Sequence, residues 1–299
     1  MTRSRWSDLD RPPLNAAALR RAVVVPGGLW TGLDVVEATG STNSDLTARA
    51  GQGAAEGAVL VAEEQTAGRG RLDRRWSAPA RSGLFFSVLL RPGEPRTVPA
   101  DEPAAPPLDQ GPVPVNRWGW LPLLAGVATA TALSRAAGVD TALKWPNDLL
   151  LTVEGEERKA GGILAERVGT AVVVGVGINV SLRAGELPVP TAASLALAGA
   201  KGTDRDPLLR AVLRSIADWY GLWRAADGDP AASRLQQTYG AGCATLGRQV
   251  RAELPGGKEL SGTAVAVDGD GRLVIAGPDG EQAVGAGDVV HLRPDAGEG

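Results

Sequence analysis

From residue 33 onward, apolar positions fall into short runs separated by Gly, Pro and charged breaks, and their periods predict alternating strands and helices. Leu33-Asp34-Val35-Val36-Glu37 alternates with period two, as a half-buried strand does. A helix over 43–50 follows, with Ser41 or Thr42 as its N-cap. Residues 58–63 and 83–90, rich in Val, Leu and Phe, predict two more strands. Residues 121–137 carry small and apolar side chains at helical spacing and stop at Gly138, a good C-cap. Leu143-Lys144-Trp145 is strand-like and ends at Pro146. Residues 149–153 and 161–166 predict a hairpin, 171–180 a β-branched strand, and 207–223 and 231–239 two helices, the first capped by Asp206.

After Gly240 the runs shorten. Residues 248–254, 259–267, 273–276, 281–284 and 289–292 predict close-spaced strands joined by turns such as Asp268-Gly269-Asp270-Gly271, the pattern of a small β-barrel. Two stretches carry no such pattern. Residues 1–28 are polar and Pro-flanked, an N-terminal extension too short for a winged-helix DNA-binding domain. Residues 92–117 are dense in Pro, Ala, Asp and Glu and bury too little apolar surface to offset the entropy of ordering, so a flexible insertion is expected. The expected division is an extension over 1–28, a large α+β unit over 29–245 and a small β unit over 246–299.

Composition narrows the chemistry. Met, Phe and Tyr number only 1, 2 and 2, so aliphatic side chains must build the core. No apolar run approaches the roughly 18 residues of a membrane span, and the N-terminus shows no apolar signal segment. A lone cysteine, Cys243, cannot form an internal disulfide, which fits a reducing cytoplasm. His291 is the single histidine, so zinc catalysis and a Ser-His-Asp triad are poor candidates, and His291 itself reads as structural.

Against a formal net charge of −3, the stretch Gln65-Thr66-Ala67-Gly68-Arg69-Gly70-Arg71-Leu72-Asp73-Arg74-Arg75-Trp76 concentrates positive charge. Guanidinium forks match carboxylate and phosphate oxygens, and Gly68 and Gly70 allow close backbone approach to a ligand. Four neighbouring arginines repel one another, so without an anion the loop is expected to be mobile. A solvated basic turn would explain such a cluster if it stood alone. It stands with four other segments: Thr39-Gly40-Ser41-Thr42-Asn43-Ser44, Lys144-Trp145-Pro146-Asn147-Asp148, Lys159-Ala160-Gly161-Gly162-Ile163-Leu164-Ala165-Glu166, and Gly175-Val176-Gly177-Ile178-Asn179-Val180. Gly175-x-Gly177 lacks the third glycine of a dinucleotide fingerprint.

In this order the segments resemble the biotin protein ligases, from about Leu33 to the C-terminus. The resemblance implies an α+β fold: a mixed central sheet flanked by helices, of the class II synthetase-like kind, with a small C-terminal SH3-like β-barrel. It implies that ATP, with Mg2+, activates biotin as biotinyl-5′-AMP, and that a lysine of a biotin carboxyl carrier protein then attacks the anhydride. Ser41, Thr42, Asn43 and Gln65 would bond the biotin ring; Arg69, Gly70 and Arg71 would order over biotin's carboxylate and the adenylate phosphate. Arg74 would reach the triphosphate and Trp76 would stack near adenine. Lys144 would stand near the phosphates, Lys159 against biotin's carboxyl group, and Asn179 near the metal. Asp73 replaces a glycine common in the family, which stiffens the loop and lowers its charge by one.

Each feature has a plainer reading beside it. Ser41-Thr42-Asn43 would serve as a helix cap, lysines in strands usually face solvent, and paired glycines permit tight strand packing. Arg293 could reach the nucleotide from the small unit. A lipoate ligase shares the fold and the adenylate route, but the Gly-Arg-Gly-Arg loop, Lys-Trp-Pro-Asn-Asp and the C-terminal barrel together favour biotin. A biotin-responsive DNA-binding regulator is opposed by the acidic balance and the short extension. A monomer or weak homodimer is expected.

Overall fold

Seven strands build the central sheet: β1 (Gly32–Val36), β2 (Ala58–Ala62), β5 (Gly83–Leu90), β8 (Thr141–Lys144), β9 (Asp148–Val153), β10 (Glu156–Val168) and β11 (Ala171–Asn179). Their order is β1-β2-β5-β11-β10-β9-β8, with β1 and β2 parallel and every other neighbouring pair antiparallel. Short strands β3 (Gly68–Arg69) and β4 (Arg75–Trp76) form a separate hairpin. The computed structural model describes residues 10–72, 74–98, 108–254, 259–285 and 288–292, so the expectations for Asp73 and Arg293 lie outside it.

Strand β11 shows how the sequence divides the sheet into two faces. Val172, Val174, Val176 and Ile178 point to one side, opposite Leu90, Val88, Phe86 and Leu84 of β5, and all are buried. Helices α3 (Trp120–Ala137) and α4 (Arg205–Ala225) cover that side. Each large aliphatic side chain fully buried there contributes about 1.5–3 kcal/mol. On the other side Ala171 and Val173 pack with Leu89 under helix α2 (Thr42–Gly51), against Leu46 and Ala50. Beyond Val173 that face continues as Gly175, Gly177 and Asn179, where small residues leave room.

Caps and turns set the helices. Ser41 caps α2, accepting the N–H of Ser44, and Gly138 ends α3 at φ +66°. Asp204, not Asp206, caps α4; the carboxylate of Asp206 accepts the N–H of Asn15 instead. The expected helix over 231–239 begins later, as α5 (Leu235–Gly242). The Asp229 carboxylate takes the N–H groups of Ala231 and Ala232, and Arg234 adopts a left-handed φ of 63°, so the helix cannot start sooner.

The extension and insertion are tied into this frame. Helix α1 (Ala16–Val23) buries Leu19 and Val23. Glu63, just past β2, accepts the N–H of Leu14 and pairs with Arg205 at 2.6 Å, both side chains almost fully buried. Both ends of the insertion are ordered where described: β6 (Arg96–Val98) pairs with β7 (Leu108–Gln110), and 99–107 lie outside the described residues. The buried Arg224 guanidinium anchors its base by donating to the carbonyls of Arg91, Glu94 and Gly111.

The C-terminal unit is an antiparallel sheet of β12 (Gln249–Glu253), β13 (Glu259–Val267), β14 (Leu273–Gly277), β15 (Gly280–Val284) and β16 (Asp288–His291), in the order β15-β14-β13-β12-β16. Among the described residues no pairing of β15 with β16 closes it into the expected barrel. Its turn at 268–271 docks on the large unit, where Trp120 and Trp145 donate to the carbonyls of Gly269 and Gly271.

Candidate functional site

A cavity of about 450 Å3 opens over the glycine-bearing face of β10 and β11, a volume suited to a small molecule. Glycines keep its floor open. A Cβ on Gly175 would collide with the amide oxygen of Asn43, and one on Gly177 would come within 3.1 Å of the Trp76 ring. The indole thus lies against the sheet.

One end is polar and pre-arranged. The N-terminus of α2 brings Ser41, Thr42 and Asn43 into the lining, all buried. The Gln65 side-chain oxygen accepts the N–H of Thr42 at 2.9 Å and its hydroxyl at 3.2 Å, leaving the Gln65 amide donors for a ligand. Asn43 donates to the Leu164 carbonyl and, at 2.7 Å, to Glu166, while its oxygen sits 2.8 Å from the Ser87 hydroxyl. Both Asn43 donors are engaged, so it shapes the site and can add only an acceptor. Ser41 combines the two readings: it caps α2 and lines the cavity.

Beside it stands the arginine hairpin. Gly68 pairs with Trp76 and Arg69 with Arg75, and the N–H of Gly70 bonds the Arg74 carbonyl at 2.7 Å. Arg69, Gly70, Arg71, Arg74 and Trp76 all line the cavity, with Leu72 projecting 64% exposed at its mouth. Arg69 reaches Glu166 at 2.9 Å and Ser44 at 3.4 Å.

Lys159 enters from β10. A register shift between Lys159 and Gly161 breaks the ladder with β9, and the Lys159 backbone bonds the 191–193 segment instead, which walls the cavity. Its ammonium lies 2.6 Å from Asp148 and 5.9 Å from the Trp76 ring centroid. Asn147 holds the floor by donating to the Ile163 carbonyl. Asn179 lines the cavity but donates its amide to Ala193, leaving only its oxygen to offer a cation. Among the described residues no His, Cys, Asp and Glu cluster could hold a metal by itself.

Lys144 stands apart from the other expected site residues. It sits on the edge strand β8, opposite Asp148, and does not line the cavity. Its charge instead acts on His291, whose pKa falls to about 4, first through burial and then through Lys144 and Arg248. The His291 ring bonds Thr245 at 3.0 Å and Arg248 at 3.3 Å. Since an arginine only donates, Nδ1 must accept and Nε2 carries the proton.

Two contributors escaped the sequence reading. Ser87 was visible only as a hydroxyl interrupting the apolar run Leu84-Phe85-Phe86, and it touches both Thr42 and Asn43 at 2.8 Å. Glu166 closed a quoted motif without a role. Asp148, expected with Asn147 to shape the site at the strand end, does so by restraining Lys159.

Known proteins resemble this chain along most of its length. The family model described as the biotin protein ligase C-terminal domain matches residues 245–292. The biotin–[acetyl-CoA-carboxylase] ligase of Mycobacterium tuberculosis is 42% identical over 290 residues, covering 96% of this chain and 98% of that protein. The bifunctional ligase/repressor BirA of Escherichia coli is 29% identical, covering 83% of this chain and 70% of its own length. The solved biotin protein ligase of Aquifex aeolicus, in complex with biotin and ATP, aligns with a TM-score of 0.67 at 27% identity, over 89% of this chain and 100% of its own. With a relative that similar across nearly the whole of both chains, this chain belongs to the biotin protein ligase family.

Proposed function

We propose that this protein is an ATP-dependent ligase that activates biotin as biotinyl-5′-AMP and transfers the biotinyl group to a lysine of a biotin carboxyl carrier protein. The observation that carries this reading is the convergence, in one cavity, of a prearranged polar end at α2, a lysine ammonium and the arginine hairpin. The ureido ring of biotin would meet Ser41, Thr42, Gln65 and the Asn43 oxygen, and its carboxylate would share Lys159 with Asp148. A biotin carboxylate oxygen attacks the α-phosphorus of ATP, forming the mixed anhydride as the bond to pyrophosphate breaks. The carrier's amine then attacks the acyl carbon and AMP leaves. Neither step needs a side-chain nucleophile; both need charge neutralised and reactants aligned.

Arg69 and Arg71 would meet the anhydride phosphate, Arg74 the departing pyrophosphate, and Trp76 the adenine. Mg2+ would enter as the counter-ion of ATP, because Asp148, the one carboxylate in the cavity lining among the described residues, already holds Lys159. The Asn179 amide oxygen is the neutral group best placed to assist it. Among the described residues no helix is long and apolar enough to cross a membrane, and the single cysteine is buried and free, in keeping with a cytoplasmic setting. Incubation with biotin and MgATP but no carrier tests the first step: biotinyl-5′-AMP and pyrophosphate should accumulate to about one equivalent per enzyme, and pyrophosphate without acyl-adenylate would refute it.

A further inference from the structure

We propose that Glu166 is a positioning residue for the arginine loop, an internal counter-charge that holds Arg69 over the cavity before any ligand arrives. The inference rests on the reading of Arg69 as a ligand-binding group. Glu166 projects from β10 on the side of α2, opposite Val173, beside a patch made by Leu46, Ala50 and Ala171. A partly buried carboxylate beside apolar groups needs compensation, and its two oxygens are divided between two partners. One accepts the Asn43 amide at 2.7 Å, and the other faces the Arg69 guanidinium at 2.9 Å. A single side chain on the rigid sheet therefore fixes both the polar end of the cavity and the first arginine of the hairpin.

The geometry is suited to preorganisation. A guanidinium carries five donors, so a carboxylate on one flank orients the group without consuming it. Gly68 and Gly70 on either side leave the backbone permissive, so the ion pair supplies a restraint that the sequence around Arg69 does not. Without it the arginine would have to be ordered by the ligand at each turnover, and binding would weaken accordingly.

Glu166→Gln separates the two contacts, since it keeps an oxygen for Asn43 but loses the charge that holds Arg69. Its KM for biotin should rise roughly fivefold or more with kcat within about twofold. Glu166→Asp, which keeps the charge on a shorter arm, should recover part of the loss. Hydrogen exchange in residues 66–76 of the ligand-free protein should be faster in Glu166→Gln than in the parent, a readout independent of turnover. Arg69→Ala is measured alongside. If Arg69→Ala raises KM while Glu166→Gln leaves both KM and exchange unchanged, the positioning role is overturned and the ligand role of Arg69 stands. If Arg69→Ala leaves KM unchanged, the ligand role fails and the proposal falls with it.

Discussion

The ammonium of Lys159 lies 2.6 Å from the carboxylate of Asp148, which reaches it from the neighbouring strand β9. The pair keeps a cation aimed into a cavity whose other charged wall is also positive. A ligand carboxylate arriving there finds the lysine already placed, and Asp148 keeps it within reach while the cavity is empty.

Replacing Lys159 with Ala should therefore weaken biotin binding about tenfold to a hundredfold, the equivalent of one charge-assisted hydrogen bond in a partly exposed site. Lys144→Ala, two strands farther out, should change biotin affinity by less than about twofold. Titration calorimetry on both variants checks the assignment, and equal losses would mean that the two lysines act together.

Arg205→Met should destabilise the fold by about 3–5 kcal/mol, because it strands Glu63 as a buried, unpaired carboxylate. Glu63 also holds the N–H of Leu14, so residues 10–15 should lose protection first. Urea unfolding read by tryptophan fluorescence gives the magnitude. A loss below 1 kcal/mol would show that Glu63 is accommodated without Arg205 at little cost.

His291 links the C-terminal sheet to pH. Burial beside Lys144 and Arg248 lowers its folded pKa to about 4, while Glu157 and Asp148 oppose the shift. The unfolded chain thus binds the proton more readily, and stability is lost as pH falls from the ordinary histidine value near 6.5 toward the folded value. Between pH 6.5 and about 4.5, above the range where carboxylates dominate, the melting temperature of the parent should fall more than that of His291→Asn. Parallel curves for the two proteins would remove His291 from the account.

Much of the site was legible because its chemistry demands particular residue types close together in sequence. The arginine hairpin, Ser41 to Asn43 and Lys159 announce themselves that way. What stayed hidden depends on partners far along the chain. Repulsion among the arginines suggested a mobile loop, but that argument lacked the counter-charge of Glu166, which strand register brings beside Asn43. Alternation placed Lys144 in a strand yet could not reveal that this strand is the sheet edge. Low apolar content suggested disorder across 92–117, whereas Arg224, buried in a helix more than a hundred residues later, supplies the donors that order its base. Whether five strands close into a barrel depends on pairing between the first and last edges, which no local period encodes.

The account stands or falls on transfer to protein. An apo biotin carboxyl carrier domain incubated with this protein, MgATP and biotin should gain one biotinyl group on one lysine, detected by intact mass and peptide mapping, with no gain when lipoate replaces biotin. An unmodified carrier in the presence of the folded protein, or modification by lipoate in preference to biotin, would contradict it.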